Sequence, residues 1–241
     1  MKYLTRFLLT AALLLPVALS AASTFEGELR MQMTSGKEKP IEIDYFLKEG
    51  KARIVPQLGQ KGGSMAMIMD TKKLEMITLM PEQKMYMVTS IKSLTEEAAK
   101  QGGVSDVVPE RTGKKEKILG YTCEEYLMKA KDGTTTAVWV TDELGAFGGL
   151  GGGGMGGGRR AKGASAQAWE NAFAGKNQFP MRVVGLDTKG VENFRMEVTK
   201  VEKKSLPDAD FIPPAGFQKL ELPPMGDMMK GMMKGLMKGG N

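Results

Sequence analysis

Histidine is absent from all 241 residues, and cysteine occurs once, at Cys123. The first absence excludes Ser-His-Asp and Cys-His catalysis, imidazole general bases and nearly every catalytic zinc site. The second excludes an intramolecular disulfide, so the fold has to rest on its apolar core. With no histidine to activate it, Cys123 reads as a small buried side chain of a strand rather than as a nucleophile. Aspartate and glutamate are plentiful, but no spacing pairs them for acid–base work. The sequence therefore points to no catalytic residue, no metal ligand set built on histidine or cysteine, and no cofactor. Basic residues alternate with acidic ones along the chain, which leaves no nucleic-acid footprint.

Long apolar runs are also lacking beyond the N-terminus. There, Lys2 and Arg6 precede an almost unbroken apolar stretch from Phe7 to Leu19, and Ser20-Ala21-Ala22 supplies small residues. This is the order of a secretory signal peptide. Its apolar core of about 13 residues falls short of the ~20 that a spanning helix needs. Residues 1–22 are expected to be removed after Ala22, leaving a soluble periplasmic protein. No cysteine stands at the cleavage point, which argues against a lipidated N-terminus. Lys2 and Arg6 are two of the 34 basic residues, so the mature chain carries +4 instead of +6. A hydrophobic fraction of 41% and a charged fraction of 26% suit one folded domain, expected over residues 23–220.

What fills that domain is period-two alternation. Phe25, Gly27, Leu29, Met31 and Met33 face one way, and Glu26, Glu28, Arg30 and Gln32 face the other. Ile41 to Leu47 alternates likewise and turns at Lys48-Glu49-Gly50-Lys51 into Ala52 to Val55. Further strands are predicted over Ser64–Met69, Leu74–Met80, Met85–Thr89, Lys115–Leu119, Thr122–Lys129, Thr134–Thr141, Phe179–Asp187 and Asn193–Lys203. Helix signals are few. Ser93 with Glu96 makes a capping box for a short helix to about Lys100. A second helix is predicted over Ala166–Ala174, ended by Gly175. A succession of antiparallel strands with two helical interruptions excludes a doubly wound parallel sheet. The segment 145–163 holds 11 glycines in 19 positions and reads as a flexible surface insertion.

Four segments carry a family resemblance: Ile118-Leu119-Gly120-Tyr121-Thr122-Cys123-Glu124-Glu125-Tyr126; Trp139-Val140-Thr141-Asp142; Gln178-Phe179-Pro180-Met181; and Glu197 to Val201 running on to Asp210-Phe211-Ile212-Pro213-Pro214-Ala215-Gly216-Phe217. In this order they resemble an uncharacterised family of exported bacterial domains, similar in layout to the LolA/LolB-like lipoprotein-sorting proteins. The resemblance spans about Phe25 to Lys219. It implies a mainly β (α+β) fold, in which a strongly curved antiparallel sheet forms an incomplete barrel with a few short helices across its open side. It also implies a non-catalytic carrier that holds acyl chains or other apolar ligands between sheet and helices.

Methionine is the compositional anomaly, with 20 residues. Met65, Met67 and Met69 share one face of a predicted strand, and Met76 and Met87 extend the pattern to its neighbours. Unbranched, polarizable thioethers adapt to variable apolar shapes. These five residues are the candidate lining of a ligand site, and a Met67→Asp substitution is expected to abolish ligand retention in a folded protein. The same five fit ordinary core filling. The tail 221–241 repeats Met-Met-Lys-Gly and is expected to be disordered, with peripheral contact to an anionic membrane as a second reading. The expected partner is a hydrophobic small molecule or a lipidated protein. The rival readings are a Cu(I) protein using methionine sulfurs of strands or tail, and a structural interaction domain of the cell envelope.

Overall fold

The computed structural model describes residues 25–58, 65–93, 107–150 and 165–221. The predicted signal peptide, the tail beyond residue 221, the glycine-rich residues 151–163 and the capping box reaching Glu96 lie outside these residues. Twelve strands are described: β1 (Gly27–Ser35), β2 (Ile41–Lys48), β3 (Lys51–Gln57), β4 (Ala66–Asp70), β5 (Glu75–Met80), β6 (Met85–Ser90), β7 (Glu110–Ile118), β8 (Tyr121–Lys129), β9 (Thr135–Thr141), β10 (Phe179–Leu186), β11 (Glu192–Lys203) and β12 (Gln218–Lys219). One sheet holds them all, in the order β12-β6-β5-β4-β3-β2-β1-β11-β10-β9-β8-β7.

Local chemistry sets the hairpins. Between β2 and β3, Glu49 (φ 49°) and Gly50 (φ 83°) form a two-residue turn with both φ positive, which matches the twist of the flanking strands. Leu119 and Gly120 do the same between β7 and β8. At the β4–β5 turn, Asp70 Oδ1 accepts the amide protons of Lys72 and Lys73, both at 3.0 Å. Every sheet pairing is antiparallel except the last. β12, which the period-two pattern did not reveal, runs parallel to β6.

The sheet is open and curved. The Tyr45 ring on β2 and the Phe179 ring on β10 meet edge to face with centroids 5.5 Å apart. Three strand spacings separate β2 from β10, about 14 Å in a flat sheet. Curvature brings the two rings together, so the face they share is concave. It holds the main core, including Leu29, Met31, Ile43, Tyr45, Ile54, Val138 and Phe179. Across it lies helix α1 (Ser165–Phe173), against β8, β9 and β10 and ended at Gly175 (φ 74°), close to the predicted Ala166–Ala174. Helical backbone also begins at Ile91, two residues before the predicted start.

The convex face carries a smaller core of Ala66, Ile68, Leu79, Leu206 and Phe211. β4 separates the two cores and is buried on both sides. The chain after β11 supplies the convex cover. Leu206 donates its amide proton to Glu26 Oε1 at 2.6 Å and accepts from Lys48 Nζ at 2.5 Å. Arg53 donates to the Asp210 carbonyl at 3.3 Å. The segment ends as β12 on the outer edge of β6. The opposite edge, β7, is exposed along almost its whole length and carries Arg111, Lys114, Lys115 and Lys117, charges that discourage edge-to-edge pairing.

Candidate apolar binding face

Strands β4, β5 and β6 present a grid of side chains on the concave face. Directly opposed residues share a face. Met67 stands opposite Thr78, which stands opposite Met87. Met69 stands opposite Met76, and Met76 opposite Thr89. Met80 stands opposite Met85, and Met65, one residue ahead of β4, continues the Ala66–Leu79 register to fall opposite Met80. Seven of these nine positions are methionine. The convex positions of the same strands are Ala66, Ile68, Asp70, Glu75, Ile77, Leu79, Tyr86, Val88 and Ser90, without one methionine. Methionine is therefore allotted to a face and not merely to these strands.

The five predicted lining residues all fall on this grid, but at two depths. Met67 is 3% exposed, Met69 9% and Met76 8%, so these three belong to the core. Met65 and Met87 are half-buried, as are Met80 and Met85, which lie outside the five predicted lining residues. The depth of Met67 corrects one expectation. An aspartate there would sit among apolar neighbours, and an uncompensated buried carboxylate destabilises the fold itself. Met67→Asp therefore does not separate binding from folding.

Part of the concave face is covered by the chain after β9. Leu144, Phe147 and Leu150 are buried, the last two in the predicted surface insertion. That expectation is corrected for residues 145–150, which form a strap inside the curve of the sheet. Phe147 stacks on Tyr45 (centroids 6.1 Å) and on Trp169 of α1 (5.7 Å), and meets Phe179 edge to face at 5.6 Å. The Tyr45 hydroxyl accepts the Gly148 amide proton at 3.0 Å and donates to the Gly149 carbonyl at 3.3 Å. Burial pushes the Tyr45 phenol well above its ordinary range, so it stays protonated and keeps both roles. Glu170 Oε1 accepts from the Leu150 amide at 2.6 Å, tying strap to helix. A β-carbon at Gly148 would come 3.2 Å from Tyr45 Oη and 3.4 Å from both Ala52 Cβ and Met69 Sδ, so any side chain there would press on these neighbours. Met69 thus lies where the covered part meets the methionine grid. The signal for the strap was present in the sequence, in apolar residues 144, 147 and 150 at regular spacing among the glycines. Its glycine content outweighed them. Trp169 Nε1 is buried and has no hydrogen-bond partner among the described residues.

Cys123 is fully buried, with Sγ 3.6 Å from the Tyr121 carbonyl, and burial pushes its thiol up to about 11. It is a thiol at neutral pH, as a strand filler should be. Among the described residues no group of three or more His, Cys, Asp or Glu side chains converges as a metal site, and no helix is long and apolar enough to cross a membrane.

The family model described as "Domain of unknown function (DUF4412)" matches residues 25–217. The chain belongs to the DUF4412 family. This is the kind of family expected from the four segments, and its match takes in β1–β11 and the convex cover. No curated protein matches the sequence of this DUF4412 domain. Among solved structures, it is similar to an uncharacterized conserved protein from Thermus thermophilus (TM-score 0.48, 9% identity, covering 83% of this chain and 91% of that one). It is also similar to a LolA superfamily protein from Nitrosomonas europaea (TM-score 0.33, 12% identity, 80% of this chain and 91% of that one). A third is the MucA/MucB complex from Pseudomonas aeruginosa (TM-score 0.38, 10% identity, 84% of this chain and 63% of that one). At these scores the likeness is one of layout alone.

Proposed function

We propose that this DUF4412 domain is a non-catalytic binding or carrier protein of the cell envelope, exported by its N-terminal signal and soluble after cleavage. Its ligand is hydrophobic, a lipid, an acyl chain or the lipid part of a lipidated protein. The observation that carries this reading is the division of the concave face. The strap and α1 cover it at Tyr45, Ala52 and Phe179 and over β8–β10, whereas at β5–β6 it leaves Met80, Met85 and Met87 half-covered.

An apolar chain laid on this grid meets Met65 and Met87 first, with Met67, Met76 and, at the border of the strap, Met69 beneath. Flexible thioethers accommodate chains of different length and unsaturation better than a rigid Val/Ile wall does. Covering the half-exposed methionines removes further apolar area from water at roughly 25 cal/mol per Å². A fluorescent fatty-acid probe titrated into the mature protein tests the reading. Binding should be saturable and should weaken at least tenfold in Met87→Lys, which places a charge on a half-buried position. Equal binding by the variant, or none by the native protein, contradicts it.

A further inference from the structure

We propose that the outer row of the grid, Met65, Met80 and Met85, holds a Cu(I) ion through its three sulfurs. Strands β4–β6 pack apolar side chains on both faces, yet only the concave one uses methionine. On the convex face the same strands take Ala66, Ile68, Ile77 and Leu79. Filling apolar volume is therefore within reach of the aliphatic residues, which also favour strands more. Sulfur is what the concave face adds.

Thioethers are soft, neutral ligands that select Cu(I) over the harder divalent ions. Met80 stands in the middle strand with Met85 directly across on one side. Met65 stands across on the other, by continuation of the β4–β5 register. Adjacent strands are about 4.8 Å apart, so two flanking unbranched side chains can lean over the central one and bring three sulfurs to a common point. The next two rows each hold a threonine, Thr78 or Thr89, and offer only two sulfurs apiece. The outer row is also the one whose three methionines are all half-buried, which gives an ion a way in and a surrounding poor in water. No charged side chain is required, since a single positive charge shared among polarizable sulfurs needs no carboxylate.

The proposal rests on sulfur and not on apolar surface, and one substitution separates the two. Methionine to leucine keeps volume and apolarity and removes sulfur, usually at small cost to stability. Anaerobic titration of the mature protein against Cu(I) held by bicinchoninate should show transfer of one tightly held equivalent. The same equivalent should transfer to a variant ending at Glu221, which lacks the tail methionines. It should weaken at least tenfold in Met80→Leu/Met85→Leu, while the denaturation midpoint stays close to that of the native protein. If the double variant does not fold, Met85→Leu alone, on the half-covered strand, gives the reading. Copper left wholly on the chelator, copper retained equally by the leucine variants, or copper lost with the tail would each overturn the assignment.

Discussion

The Tyr45 hydroxyl and the Gly148 amide, 103 residues apart in sequence, are joined by a 3.0 Å hydrogen bond inside the core. That bond and its companion to the Gly149 carbonyl satisfy two backbone groups of a segment with no strand neighbour. Tyr45→Phe leaves both groups buried and unpaired, with an expected loss of roughly 1–3 kcal/mol of stability per group left unsatisfied. Chemical denaturation with the slope held fixed measures it. Unchanged stability would show that the strap does not depend on Tyr45.

Gly148→Ala probes the same contact from the other side. The added methyl group presses on Tyr45 Oη, Ala52 and Met69. Overpacking of this kind costs about 1–3 kcal/mol. A fall in the midpoint of denaturation is expected, whereas Gly133→Ala in the β8–β9 turn is strained by its φ of 84° but leaves the core untouched. The two variants should differ in fatty-acid binding, because only Gly148→Ala shifts Met69.

Cys123 should be unreactive in the folded protein. Its thiol is buried and pushed up to about 11, so negligible thiolate exists at pH 8. A thiol-specific chromogenic disulfide is expected to report one reactive group in denaturant and close to none without it. Rapid native-state labelling would contradict the burial.

Acid should release the convex cover before it unfolds the sheet. The Leu206 amide hydrogen bond, then Lys48, hold the Glu26 carboxyl below its ordinary value, and Lys48 holds Asp208 low in the same way. Both folded-state values are depressed, so their stabilisation is present above about pH 4.5, the ordinary carboxylate range, and disappears as pH falls through the lowered values. Lys48 is raised by Asp208, so its share persists at neutral pH and is lost only as pH rises through that raised value. The protection factor of the Leu206 amide, corrected for the intrinsic pH dependence of exchange, should fall below pH 4 while β1 and β2 stay protected, and in Glu26→Gln it should already be lower at pH 7.

Most of this architecture was legible in the residues. Alternation located the strands from Phe25 to Lys203 because one face of the sheet is wet and the other buried, which makes the period unambiguous in β1, β2, β3 and β11. The glycine content at 145–150 hid the strap, since a segment buried by a few aromatic contacts and side-chain hydrogen bonds has no periodicity to display. β12 is two residues long, too short for any pattern. Alternation showed that Met65, Met67 and Met69 share a face, but depth depends on what lies above each strand. For that reason core Met67 and half-covered Met87 looked equivalent in sequence.

The central claim is that the half-covered methionine grid carries a hydrophobic ligand, and native mass spectrometry of the mature protein purified from a periplasmic extract tests it most directly. The expected result is an adduct of several hundred daltons that disappears on denaturation and is absent from Met87→Lys. A bare mass for the native protein, or the same adduct on the variant, would contradict it.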